Sequence, residues 1–193
     1  MNGLTQMITQ QLGERAVRTI AQRFGISETA AATAVQIGVP LIVAALARNA
    51  SEPKGAESLH EAINNDHDGS ILDNVGSYLG NPQSANGAGI LEHIFGNQQP
   101  AVESNLAEAT GIDQTSAGGL LETLAPLVMG SLGKAQQQNE LDPSGLSNLL
   151  ESQQQEAQAN APDVMSMLGS MLDQNKDGSS IDDLQRLAAK FFK

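Results

Sequence analysis

Two stretches of this chain carry side chains of a type and spacing that could hold a cation. In "NNDHDGSILD", oxygen-bearing side chains alternate at Asn64, Asp66 and Asp68, followed by Gly69, Ser70 and Asp73. In "DQNKDGSSID" the same order returns as Asp173, Asn175, Asp177, Gly178, Ser179 and Asp182. Oxygens at the first, third and fifth positions of a tight loop converge on one point, and a glycine at the sixth allows the sharp turn that an EF-hand calcium loop makes. The pattern then departs from that loop. Val75 and Leu184 stand at the twelfth position, where a bidentate Glu is expected, and Asp73 and Asp182 at the tenth would have to close a shorter site. A second reading needs no metal. Asp-Gly makes a turn, and Ser70 to Asp73 and Ser179 to Asp182 have the spacing of a helix capping box with Asp in place of Glu. Both readings stay open on the sequence, with Ca2+ the only cofactor expected.

Other candidates for chemistry are scattered. His60, His67 and His93 lack the spacing of a zinc set, nothing pairs Glu92 with Glu122, and neither a phosphate loop nor a nucleophile elbow is present. There is no cysteine, which removes thiolate chemistry and disulfides. The expectation is a protein that is not an enzyme.

The elements that carry these loops must be helices. The 193 residues are 40% hydrophobic, yet include four Phe, one Tyr and no Trp, so the core is one of Ala, Leu, Ile, Val and Met. Leu4, Ile8, Leu12, Ala16, Ile20 and Phe24 recur every fourth residue and predict one long first helix ended by Gly25. "GAESLHEAI" and "ILDNVGSYL" predict short helices before and after the first Asp-Gly loop. "GVPLIVAALA" is about half the roughly 20 residues a membrane span needs, and no basic, apolar leader opens the chain. A cytoplasmic protein without a membrane span is expected.

The chain also repeats itself. "FGISETAAATAVQIGVPLIVAALAR" aligns without a gap on "TGIDQTSAGGLLETLAPLVMGSLGK", placing Gly25 on Gly111, Ser27 on Asp113 and Pro40 on Pro126. The two Asp-Gly loops align as well, once a Gln-rich insertion (about 136–162) is allowed. The expected organisation is an all-α chain without a sheet. It has two related multi-helix repeats: 1–80 with the first loop, and 81–193 with the insertion and the second.

The segments "GILEHIFGN" and "ATGIDQTSAGGLLETLAPLVMGSLGK", with the terminal Asp-Gly loop, resemble the YidB-like bacterial proteins of unknown function. The resemblance covers 55–193 and is strongest from Gly89 to Lys134. It implies a helical fold with homeodomain-like three-helix elements, and it brings no catalytic residues.

Charge limits the partners. Residues 1–49 carry four Arg against two Glu, 50–163 two Lys against sixteen acids, and the rest four of each, which gives the net −12. Most of the surface repels a phosphate backbone, which leaves Arg15, Arg18 and Arg23 of the first helix as the only route to nucleic acid. Specific nucleic-acid binding is therefore not expected, and no small-molecule substrate is identified. The reading that remains is an interaction or scaffold protein with a protein partner or self-association, stiffened by calcium if the loops bind it. The alternatives are a regulatory nucleic-acid binder and an enzyme with an unrecognised site.

Overall fold

A computed structural model describes residues 4–160, with side chains from 12 to 156. The second Asp-Gly loop, with Asp173, Asn175, Asp177, Ser179 and Asp182, lies outside the described residues. Every regular element described is helical: α1 (Leu4–Phe24), α2 (Glu28–Asn49), α3 (Pro53–Asp66), α4 (Val75–Gly80), α5 (Gly87–Phe95), α6 (Gln99–Thr110), α7 (Gln114–Asn139) and α8 (Pro143–Asn160). Short 3-10 turns over Ser70–Asn74, Pro82–Ala85 and Gly96–Gln98 link some of them. The all-α expectation holds for the described residues.

Two helices form the centre. α2 and α7 cross at Gly38, where an added Cβ would sit 3.0 Å from Leu124 Cδ1 and 3.3 Å from Leu121 Cδ2. The side chains around the crossing, among them Leu41, Ile42, Leu46, Leu120, Leu121, Leu124 and Leu127, are fully buried. α1, α5 and α6 pack around this pair, while α3 and α8 pack on one another and on its outer side. α2 is also long and apolar enough to cross a membrane by length and composition, but 72% of its most apolar stretch is buried inside the protein. The membrane expectation weighed only the unbroken apolar run, which is shorter than the helix that carries it.

The start of each central helix follows from single residues. Gly25 and Gly111 end the preceding helices with φ of 65° and 71°, a left-handed conformation that glycine adopts without steric cost. Ser27 and Asp113 then take extended backbone and accept the Ala30 and Ser116 N–H groups, at 3.0 and 2.9 Å. Pro40 and Pro126 both lie buried in mid-helix.

One expectation changes, and one segment gains a place in the core. The long first helix is not continuous, because Gly13 takes φ 48° and ψ 175°, a conformation open to glycine but not to a helix. An apolar stripe with a four-residue period does not register such a break. The Gln-rich insertion is a working part of the core. It completes the end of α7 and forms α8, whose Leu146 and Leu150 are fully buried beside a buried Gln153.

Candidate binding clefts around Asn86

The first Asp-Gly loop follows α3 and lies against the second half of α7. Glycine makes this approach possible. A Cβ at Gly133 would fall on the His67 carbonyl oxygen, and one at Gly130 would lie 2.5 Å from Ile71 Cγ2. Gly69, at φ 91°, turns the chain 3.0 Å from the Gly130 carbonyl oxygen, measured from where its own Cβ would be. The small residues of α7 thus serve packing within the fold.

Three of the loop's candidate ligands, Asn64, Asp68 and Asp73, are already engaged. Asn64 Oδ1 accepts from Gln136 Nε2 at 2.8 Å, and Asn64 Nδ2 meets His60 Nδ1 at 3.2 Å. His60 Nε2 in turn reaches the Leu141 carbonyl at 3.2 Å, so a polar chain ties α3 to the last turn of α7 and to the connection that follows it. Asp68 Oδ1 accepts the Ser70 N–H at 2.9 Å, and hydrogen bonds from the Ser70 hydroxyl and N–H hold the Asp68 carboxyl below its ordinary range. Lys134 Nζ donates to Asp73 at 3.4 Å. Asp66 is exposed, and its charge partly offsets the burial that lowers the pKa of half-buried His67. Among the described residues no group of three or more His, Asp or Glu side chains is gathered closely enough to hold a metal ion. Nor do Ser70 and Asp73 form a capping box. The cap of α4 is Asn74, whose Oδ1 accepts the Ser77 N–H at 3.1 Å, because a 3-10 turn intervenes before the helix starts.

What the fold gathers instead is a set of clefts that meet at Asn86. This residue takes φ 50° and ψ 42° ahead of α5, one of two non-glycine residues with positive φ among the described residues. One cleft, about 510 Å³, runs between the end of α1 and the first half of α7 and is lined by Arg23, Phe24, Thr115, Gly119 and Glu122. A second, about 710 Å³, has the first Asp-Gly loop on one side and Ser77, Asn81 and Ser84 on the other. A third, about 520 Å³, is largely apolar, with Leu46, Leu59, Ile90 and Met129 at its base and Lys54, His67 and His93 beside them. Asn86 lines all three. These volumes fall in the range of small-molecule and peptide sites.

Pro126 acts on the wall of the first cleft through the carbonyl of Glu122. It has no N–H for the Glu122 carbonyl, and the Gly87 backbone packs so closely on that carbonyl that a Cβ there would collide with it. The neighbouring Thr123 carbonyl accepts the Tyr78 hydroxyl at 2.8 Å. Burial pushes the Tyr78 phenol well above its ordinary pKa, with nearby Arg23 acting against the shift. Arg18 pairs with Glu28 at 3.1 Å and Arg15 is exposed, so the three arginines of α1 have separate surroundings. Asn86 was not a candidate on the sequence. The only cue was an Asn-Gly pair of the kind that takes left-handed backbone.

Comparison with known proteins gives a family and no more. No curated relative and no solved structure matches the chain. The family model does match, over residues 6–135, and so takes in 6–54, ahead of the YidB-like resemblance, and stops short of its last stretch, 136–193. The chain belongs to the DUF937 family of bacterial proteins of unknown function.

Proposed function

We propose that this protein is a helical interaction module whose working face is the surface where the three clefts meet at Asn86. The observation that carries the reading is Asn86 itself, a non-glycine residue in left-handed backbone that all three clefts share. Asn tolerates this backbone better than other side chains do, and sparsely populated backbone conformations concentrate at binding sites. A photo-crosslinking side chain at Ala88, exposed on this face, should capture a discrete polypeptide in cells, whereas one at Glu151 on α8 should not. The mass of the product separates self-association from a different partner. Equal capture at both positions, or none at either, defeats the reading.

The architecture behind this face is two related repeats, 1–80 and 81–193. The matched stops at Gly25 and Gly111, caps at Ser27 and Asp113, and prolines at 40 and 126 support that division. The mutual packing of α5, α6 and α7 supports a homeodomain-like three-helix element. A DNA-reading role fits poorly, because the third helix of that element, α7, is buried along most of its length, and a recognition helix must face a groove.

Calcium remains a proposal, stronger at the second loop than at the first. At the first, the ion would have to displace Gln136 from Asn64 and Lys134 from Asp73. For Asp173, Asn175, Asp177, Ser179 and Asp182 the argument rests on the alternating oxygens alone. Binding to the folded state raises the melting temperature. Millimolar calcium should therefore stabilise the wild type and stabilise Asp177→Ala less, and no effect on the wild type ends the proposal.

A further inference from the structure

The cleft between α1 and α7 is lined by two side chains of opposite charge, Arg23 and Glu122. The Arg23 guanidinium lies 6.0 Å from the centroid of the Phe24 ring and takes part in no ion pair or hydrogen bond among the described residues. The Glu122 carboxylate likewise has no such partner. Two ion pairs form among the described residues, Arg18 with Glu28 and Lys134 with Asp73, and neither involves this cleft. Arg23 and Glu122 line the same cleft and remain apart.

Between them the wall is apolar and the edge is polar. The Phe24 ring lies over the bare backbone of Gly119, where a Cβ would come 2.6 Å from Phe24 Cε1. Thr115, Gln83 and Asn86 add a hydroxyl and two amides around this wall. A ligand carrying only an anion would satisfy Arg23 and be repelled by Glu122. One carrying only a cation meets the converse problem. A neutral apolar ligand would leave both charges facing its surface. A ligand bearing both charges with a short apolar body satisfies all three features.

We propose that this cleft binds a zwitterion with free α-carboxylate and α-ammonium groups, a single amino acid or a short peptide. Its carboxylate lies on Arg23, its ammonium on Glu122 and its body against Phe24 and Gly119. Arginine suits the first role because its planar donors match a carboxylate two at a time. The ligand is neutral overall, so the charge of −12 neither draws it in nor repels it, and binding should respond weakly to salt. The inference stands on these charges and holds whether or not a protein partner covers the face around Asn86.

Titration of the full chain, followed by amide chemical shifts and calorimetry, tests it. The ligands are glycine, leucine and phenylalanine, then Leu-Leu and Leu-Leu-Leu, each also N-acetylated or C-amidated. The cleft residues should shift with the free zwitterions, and the best length separates an amino acid from a peptide. Blocking either end should weaken binding about tenfold or more, as the loss of a charge-assisted hydrogen bond does. In Arg23→Gln, C-amidation should no longer matter while N-acetylation still does; in Glu122→Gln the two dependences exchange. Both side chains are exposed, so the variants should keep the wild-type melting temperature, and the blocked-ligand series in the wild type stands without them. Equal binding of free and blocked ligands, or no shift in the cleft at tens of millimolar of any of them, overturns the proposal.

Discussion

The central helices α2 and α7 begin alike. Each follows a left-handed glycine, starts from an oxygen-bearing cap and contains a buried proline. They diverge in their second halves. Where α7 has Gly130 and Gly133, the aligned positions of α2 are Ala44 and Ala47. On α7 the missing methyls admit the backbone of the first Asp-Gly loop, at His67 and Gly69. The alanines of α2 are buried in a helix that packs against α8 instead. Two methyl groups thus decide which central helix receives a loop and which receives another helix.

The largest effect that can break this contrast is expected at Gly133. Gly133→Ala drives a methyl into the His67 carbonyl, a backbone atom that cannot rotate away, and should cost about 2–3 kcal/mol in urea unfolding. The mirror change, Ala47→Gly, opens space without a collision and should cost about 1 kcal/mol. If Gly133→Ala proves as mild as Ala47→Gly, the loop does not rest on α7 as described. Tyr78→Phe comes next. It removes the hydroxyl on the Thr123 carbonyl, one turn before Pro126, and should cost about 1 kcal/mol.

The two caps sharpen the comparison through pH. Ser27 does not titrate, whereas hydrogen bonds from the Ser116 hydroxyl and N–H hold the Asp113 carboxyl below its ordinary value. A depressed carboxyl stabilises the folded state above its unfolded pKa, and the gain is lost as pH falls through the folded value. Acid should therefore loosen the start of α7 through its cap and leave the Ser27 cap of α2 unchanged. Amide exchange at Ser116 should quicken below about pH 4 relative to Ala30, and Asp113→Asn should remove the difference. Ser27→Ala should cost about 1 kcal/mol at any pH.

The features these predictions use were unequally legible in the sequence. Gly25, Ser27, Gly111 and Asp113 could be read because a stop or a cap is decided by one residue and its immediate neighbours. Gly13 was hidden by the apolar period that runs through it. The Asp-Gly loop showed its turn but not its surroundings, since what engages Asn64 and Asp73 comes from Gln136 and Lys134, 72 and 61 residues away. The clefts were invisible for the same reason. Arg23, Asn86 and Glu122 belong to three separate elements, and no spacing in the chain announces that folding brings them to one surface.

The smallest expected effect lies at the ends of the two helices, and there the sign of the change carries the test. α7 stops at Glu140, which takes φ 49° and donates its N–H to the Gln136 carbonyl. α2 stops at Ala50 in right-handed backbone, φ −82°, with its N–H on the Leu46 carbonyl. A side chain in left-handed backbone costs about 1–2 kcal/mol, and a negative charge at a helix C-terminus faces the unfavourable end of the dipole. Glycine at 140 relieves both, although it loosens the unfolded chain and gives back about 0.4–1 kcal/mol. Glu140→Gly should therefore stabilise the protein by about 0.5 kcal/mol. At Ala50 the backbone carries no strain to relieve, and the same replacement only removes a buried methyl and adds unfolded freedom. Ala50→Gly should destabilise by about 1 kcal/mol. Opposite shifts of the urea midpoint would establish that the two central helices, alike at their starts, are terminated by different means. Shifts of the same sign would place Glu140 outside the left-handed cap.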